Sequence, residues 1–278
     1  FSKSMIQNTL TCLQGAMNYA ILPLKYIQAY PCVAVKIGKM PMDMTAKAHT
    51  EYICSAEEFN QILKRFPADN CFHLSLVVPY NTGTRIGETF AIDLSQDVDF
   101  EKHELRIHGQ MQKVEKTWYI KPPKYDSYRT IKMGETLEKE LKFAIQQRRI
   151  NKLKYGGAYS KTYLLPDRSI AQIRADIDVP YKEILPLCVK ENGALLTPDS
   201  FKYCARIIHY ELNNPLFHAH CLRHTHGTIL AENGVNPKTV MERLGHKDIT
   251  TTLQTYTFNT DAMQQTAVDV FENAIQTQ

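Results

Sequence analysis

Hydrophobic positions along most of this chain recur at helical spacing. Met5, Leu10, Leu13, Met17, Ala20 and Ile21 lie mostly three or four residues apart, which predicts an amphipathic helix over 4–22 that Pro23 ends or kinks. The following stretch, CVAVKIGKMPMDMTAKAHT, has no clear period and reads as a linker. Ser55 with Glu58 three residues later makes a capping box, opening a helix that buries Phe59, Ile62, Leu63 and Phe66. Further helices are expected from Asn70 to Tyr80, through Leu137, Leu141, Ala144, Ile145 and Arg148, and from Thr197–Pro198 through Phe201, Cys204, Ile208 and Leu212. Partial alternation marks residues 104–114, 117–121 and 128–133, read as a three-stranded antiparallel sheet whose last two strands are joined by PPKYDS. Residues 151–180 show little period and read as a long surface connection or insertion.

Toward the C-terminus the punctuation is dense. A helix from Cys221 to Asn233 stops at Gly234; Asn236 and Pro237 open a second that Gly245 closes; the TTT run at 250–252 opens a third. Asp261 then caps a tail helix with Met263, Ala267, Val270, Phe271 and Ala274 on one apolar stripe. The fold class is therefore mainly α with a small antiparallel β-sheet.

At 278 residues, 44% hydrophobic and 22% charged, the composition is that of an ordinary globular protein, with no apolar run of membrane-spanning length. Seven scattered cysteines without a CxxC fit a reduced cytosol better than secretion or a structural zinc site, so a cytoplasmic location is expected. The opening at Phe1, inside a helical pattern, reads as the interior of a longer protein. A formal charge of +4 says little by itself. Between Glu101 and Tyr155, however, 14 Lys and Arg face 7 Asp and Glu, a footprint suited to tracking phosphates or simply to a solvated face.

The chemistry concentrates after His218. HCLRH (220–224) and LGHKDITTTLQTY (244–256) hold a tyrosine, an arginine and spaced histidines, a set that a packed core has no need of. Breaking and rejoining a phosphodiester without metal or ATP needs a nucleophile that stores the ester, which Tyr256 supplies. It needs guanidinium forks for the non-bridging oxygens, here Arg223, and imidazoles for proton transfer, here His220 and His246. Helical spacing puts His220 and Arg223 on one face, while Gly245 lets His246 project from a turn. Upstream, Gly83 permits a tight turn that presents Arg85 at a helix start, and Gly87 allows close approach on the same helix. Lys121, just before PPKYDS, and Lys124, within it, sit on the expected hairpin and are candidate proton donors.

TGTRIGE, PPKYDSYRTI, HCLRHTHGT and LGHKDITTTLQTY resemble, in that order and over about residues 50–260, the boxes of the tyrosine recombinases, particularly the integrases of phages and conjugative transposons. The resemblance implies a catalytic domain over 41–278, with a helical tail from about 257, preceded in 1–40 by the end of a helical core-binding domain. It also implies site-specific strand exchange through a 3′-phosphotyrosine for integration or excision of a mobile element, with no metal or cofactor. Residue by residue, it makes Arg85 and Arg223 the two catalytic arginines, His220 and His246 the histidine positions, and Tyr256 the nucleophile. Glu88 becomes the accessory acid that orients Arg85. Lys124 is preferred over Lys121 as the catalytic lysine, and Thr84 departs from the apolar residue common before the arginine. The implied partners are double-stranded DNA and other recombinase subunits in a synaptic dimer or tetramer, with the C-terminal helix docking in trans, and no membrane.

Two relatives in chemistry or fold compete. A type IB topoisomerase shares these active-site residues, but the core-binding-like start and the tail argue against it. A silent DNA-binding regulator of the same fold would show damage in the catalytic set, and none is visible. His218, His220, His224 and His226 with Cys221 lack an acidic third ligand and make a poor metal site.

Overall fold

The computed structural model describes residues 3–33 and 52–247, together with Gln265, Val268, Asp269, Glu272 and Ile275 of the tail. The chain falls into two units, Phe1–Thr50 and Glu51–Gln278. The described part of the first is helix α1 (Lys3–Ile21), ending two residues before Pro23 as the sequence predicts, and the turns that follow it to Val33. Leu10, Met17, Ala20 and Ile21 form its less exposed side, while Met5 and Leu13 are exposed.

The second unit opens with α2 (Ala56–Arg65), capped as expected: Ser55 Oγ accepts from Glu58 N, and the Glu58 carboxylate accepts from Ser55 N. Helix α3 (His73–Thr82) begins three residues later than expected, because Asn70 is spent in a turn where its Oδ1 accepts from Phe72 N. It is covered on nearly all sides, with Leu76 and Val78 wholly buried, so its sequence carries no amphipathic stripe. Helix α4 (Ile86–Ala91) follows directly.

The expected single sheet is corrected to separate ones. Residues 104–114 form two strands, not one. Strands β1 (Val98–Asp99) and β2 (Glu104–Ile107) are followed by a break at His108–Gly109, then by a separate hairpin of β3 (Gln110–Val114) and β4 (Thr117–Lys121). The break has a local cause: a Cβ on Gly109 would lie 2.9 Å from Ile120 Cγ2 and 3.2 Å from Lys121 O, so the chain passes close over β4 only without a side chain. Strand β5 (Arg129–Lys132) pairs with β2, Leu105 opposite Ile131, and not with β4. PPKYDS is therefore a connection between two sheets, with a short 3₁₀ turn at Lys124–Asp126, rather than a hairpin loop.

Helix α5 (Glu135–Tyr155) carries the basic stretch to its end. The structureless connection expected over 151–180 is also corrected. Strands β6 (Ser160–Leu164), β7 (Ile170–Arg174) and β8 (Lys182–Ile184) make a third sheet in the order β7-β6-β8, with Thr162 and Tyr163 both buried. Neighbouring buried positions on a central strand erase the alternation by which a half-buried strand is recognised. Helices α6 (Pro198–Glu211), α7 (Ala219–Glu232) and α8 (Pro237–Leu244) complete the described unit, with the caps expected at Thr197, Asn236 and Gly245. Helix α7 starts two residues earlier than expected, because His218 Nδ1 accepts from Cys221 N as its N-cap. The five described tail positions are helical. The helix opened by the TTT run, Tyr256 and the apolar tail stripe lie outside the described residues.

Candidate functional site

The site is built where the C-termini of α3 and α8 meet α7. Gly83 ends α3 in the left-handed region (φ 68°), its N–H bonded to Pro79 O. A Cβ there would lie 2.3 Å from Leu244 Cδ2 and 2.9 Å from His226 Cδ2, so the three helices approach this closely only at a glycine. The Gly83 carbonyl accepts from Arg223 Nη1 at 2.7 Å, anchoring a guanidinium that α7 carries into the interior, where it is 3% exposed. Thr84 is fully buried among hydroxyls, 3.1 Å from Thr82 Oγ1 and 2.8 Å from Thr89 Oγ1, which is why a polar residue is tolerated at that position.

Arg85 is the N-cap residue of α4. Its backbone N–H donates to Glu88 Oε2, its Nη1 donates to Glu88 Oε1 at 2.7 Å, and its Nη2 donates to Gly245 O at 3.0 Å. Glu88 is wholly buried and is shared with a second arginine, Arg129 of β5, whose Nη2 lies 2.7 Å from Oε2. Burial by itself would raise the Glu88 pKa. The hydrogen bonds and charge of Arg129, followed by the charge of Arg85, outweigh burial and hold it below the ordinary carboxylate value, so Glu88 is an anion.

The histidines report the field of this cluster. His246 follows the left-handed Gly245 that ends α8, and its N–H donates to Met241 O. Burial, then the charges of Arg223, Arg85, His224 and Arg129, push its pKa down to about 4. His224 is likewise lowered to about 4 by burial, Arg223 and His218. His220 stands at the solvent-exposed mouth; partial burial, His224, Arg223, His218 and Arg85 draw its pKa below the ordinary value, and its ring centroid is 5.9 Å from that of His224. His226 serves the packing: Nδ1 donates to Tyr80 O and Nε2 accepts from Arg243 Nε at 3.0 Å, which fixes the neutral tautomer.

Arg85, Glu88, Arg223, His220 and His246 thus come together from α4, α7 and the end of α8, across more than 160 residues of chain. The two lysines lie against different rings. Lys121 ends β4 with Nζ 5.9 Å from the Tyr119 ring, whereas Lys124 lies on the 3₁₀ turn with Nζ 4.9 Å from the Tyr125 ring. The same Tyr125 ring is 5.9 Å from Lys247 Nζ, so the Lys124 turn adjoins the turn that carries His246. Two members of the cluster were not singled out from sequence: Arg129, although it sits in PPKYDSYRTI, and Arg243. Their partners are 41 and 17 residues away and no local spacing announces them.

Among the described residues, no group of three His, Cys, Asp or Glu side chains is placed to hold a metal ion, and no helix is long and apolar enough to cross a membrane. The arrangement is suited to an anion: forked donors, imidazoles held neutral and one carboxylate that locks the forks in place.

Residues 54–263 match the phage integrase family. A tyrosine recombinase XerC-like protein of Caldanaerobacter subterraneus subsp. tengcongensis is 27% identical over 94% of this chain and 64% of its own length. A prophage ps2 probable integrase of Lactococcus lactis subsp. lactis is 23% identical over 96% of this chain and 66% of its own. The chain therefore spans just under two thirds of the length of these curated relatives. The integrase of transposon Tn1549, solved in complex with transposon right end DNA, superposes with a TM-score of 0.66 at 21% identity, covering 98% of this chain and 80% of that one, which establishes a shared fold. By its motifs, its fold and a family match over three quarters of its length, the chain belongs to the phage integrase family.

Proposed function

We propose that this protein is a site-specific recombinase that cuts and rejoins double-stranded DNA through a 3′-phosphotyrosine on Tyr256, for integration or excision of a mobile element. The observation that carries the reading is the convergence of Arg85 and Arg223 with His220 and His246 in one electropositive cluster. In the proposed step the Tyr256 hydroxyl oxygen attacks phosphorus and the P–O5′ bond breaks, so the ester is kept as a P–O–tyrosine bond. A neutral imidazole takes the tyrosine proton, and Lys124 protonates the departing 5′-oxygen. Arg85 and Arg223 hold the non-bridging oxygens as charge gathers on them, and Glu88 keeps Arg85 in register. The phosphate itself offsets the cationic surroundings that depress the histidines, so their proton affinity rises when DNA is in place.

Lys124 is preferred to Lys121 because its turn lies beside the one that carries His246. The separate unit Phe1–Thr50, with its amphipathic α1, supports reading residues 1–40 as the end of a helical core-binding domain. The relative named a prophage probable integrase, and the transposon integrase sharing the fold, support a mobile element as the cargo. Other subunits of the same chain complete the synapse, with the C-terminal helix docking in trans.

The test is a duplex nicked one or two bases from the cleavage position, from which the short 5′-hydroxyl fragment diffuses away. Incubated in EDTA without nucleotide, the protein should accumulate as a covalent adduct on the 3′-phosphate end left at the break. Full binding of the site with no adduct would leave a DNA-binding regulator in place of an enzyme.

A further inference from the structure

Beyond its bond to Glu88, the Arg129 guanidinium is committed on two more sides. Nη1 also reaches Ser127 O at 3.1 Å, and Nε donates to Arg243 O at 2.8 Å. Arg243 O belongs to the last turn of α8, whose carbonyls have no helical N–H to accept from. Two residues on, Gly245 O takes the free edge of Arg85. The end of α8 is thus held by two guanidiniums, and both are locked onto the same buried carboxylate. Gly245 is the one residue type that fits there: its φ is 68°, and a Cβ would lie 2.7 Å from Arg129 Nη1 and 3.0 Å from Cζ. His246 is the next residue.

We propose that Arg129 is a positioning residue: by bridging Glu88 and the Arg243 carbonyl, it fixes the turn that presents His246 to the phosphate pocket. The geometry of the fork, rather than its charge, sets the place of the histidine. This deepens the recombinase reading and rests on it for the consequence in rate. A lysine at 129 would keep the charge near Glu88 yet lack the planar set of donors that spans the carboxylate and the helix end together. The groups facing His246 are Arg223, Arg85, His224 and Arg129, and its titration reports its place among them.

Two variants separate geometry from charge. Arg129→Lys retains the positive charge. Gly245→Ala retains every titratable group while pressing a methyl group against the fork. In both, with a cooperative melt showing a folded protein and site affinity in gel shift within about twofold, single-turnover cleavage of the nicked duplex is expected to fall roughly tenfold or more, the scale of a small misplacement of a reacting group. The His246 imidazole resonance, assigned by its absence in His246→Gln, should titrate closer to the ordinary histidine value than the wild type's value of about 4. Should Arg129→Lys fold poorly, Gly245→Ala decides alone. Wild-type cleavage rates and an unmoved His246 titration in these variants would overturn the proposal. If the wild type forms no covalent adduct, the recombinase reading fails instead, and the imidazole titration still decides whether Arg129 places the turn.

Discussion

Two sets of positive charge in this molecule differ in what they face. In the basic stretch that the sequence advertises, many of the charges end in pairs whose lysine stands in solvent: Lys132 with Glu104, Lys154 with Glu191, Lys113 with an Asp199 it shares with Lys202, and Lys142 with a Glu138 it shares with His103. In the pocket, Arg85 and Arg129 share the single buried carboxylate of Glu88, with Arg223 and three histidines close by. Exposed pairs are screened by water and contribute little, whereas buried charges fix geometry and project a field. A count of lysines and arginines along the chain takes in Arg129 with its exposed neighbours, and only the buried carboxylate and the depressed histidines tell the second set from the first.

The two sets differ most at their carboxylates. Glu88→Gln leaves two guanidiniums around a neutral amide in the interior and is expected to cost about 3 kcal/mol in urea unfolding. Glu191→Gln, at a fully exposed pair, should leave the unfolding midpoint where it was. Equal effects would show that Glu88 holds nothing together.

Next come the forks. Arg85→Lys and Arg223→Lys should each lower single-turnover cleavage by roughly a hundredfold, the scale of losing one donor to a developing oxyanion. Lys154→Met should change it little. Cleavage near the wild-type rate in either arginine variant would show that the guanidinium does not grip the phosphate through two donors.

The histidines give a pH signature of the same field. The pKa values of His224, His226 and His246 are depressed to about 4 in the folded chain from the ordinary 6.5. Between those values the unfolded chain binds protons that the folded one does not, so stability falls as pH drops from about 6.5 toward about 4, and the loss is complete below that. Denaturant midpoints measured across this window should show the slope, and His226→Gln should make it shallower. A flat profile would mean that the imidazoles are neither buried nor faced by the cations.

The smallest expected effect concerns the lysines. Among the described residues, neither Lys124 nor Lys121 has a carboxylate within ion-pair distance, in contrast to the paired lysines of the surface. Lys124→Ala should slow cleavage more than Lys121→Ala, and a 5′-phosphorothiolate, whose leaving group needs no proton, should restore the Lys124 variant. Rescue confined to the Lys121 variant would move the proton donor to β4.

Much of the helical frame was legible because its signals are local. Ser55 with Glu58, Thr197 with Pro198, Asn236 with Pro237 and the closing Gly245 each declare a helix end within four residues. The sheets were not legible, since pairing β5 with β2 rather than β4 depends on partners far apart in the chain, and Gly109 gave no sign of splitting a strand. The site divides in the same way. Arg85, Arg223, His220 and His246 stand in recognisable strings, whereas the bonds that position them, from Arg129 to Glu88 and from Arg243 to His226, join segments that no spacing connects.

The most direct test of the account is to locate the covalent bond. Protein trapped on the nicked duplex is digested with nuclease and protease, and the peptide that keeps a 3′-linked nucleotide is sequenced by mass spectrometry. A single modified peptide carrying the nucleotide on Tyr256 is expected, and no adduct from Tyr256→Phe despite unchanged binding to the site. A nucleotide on any other residue, or an adduct that survives in Tyr256→Phe, would contradict it.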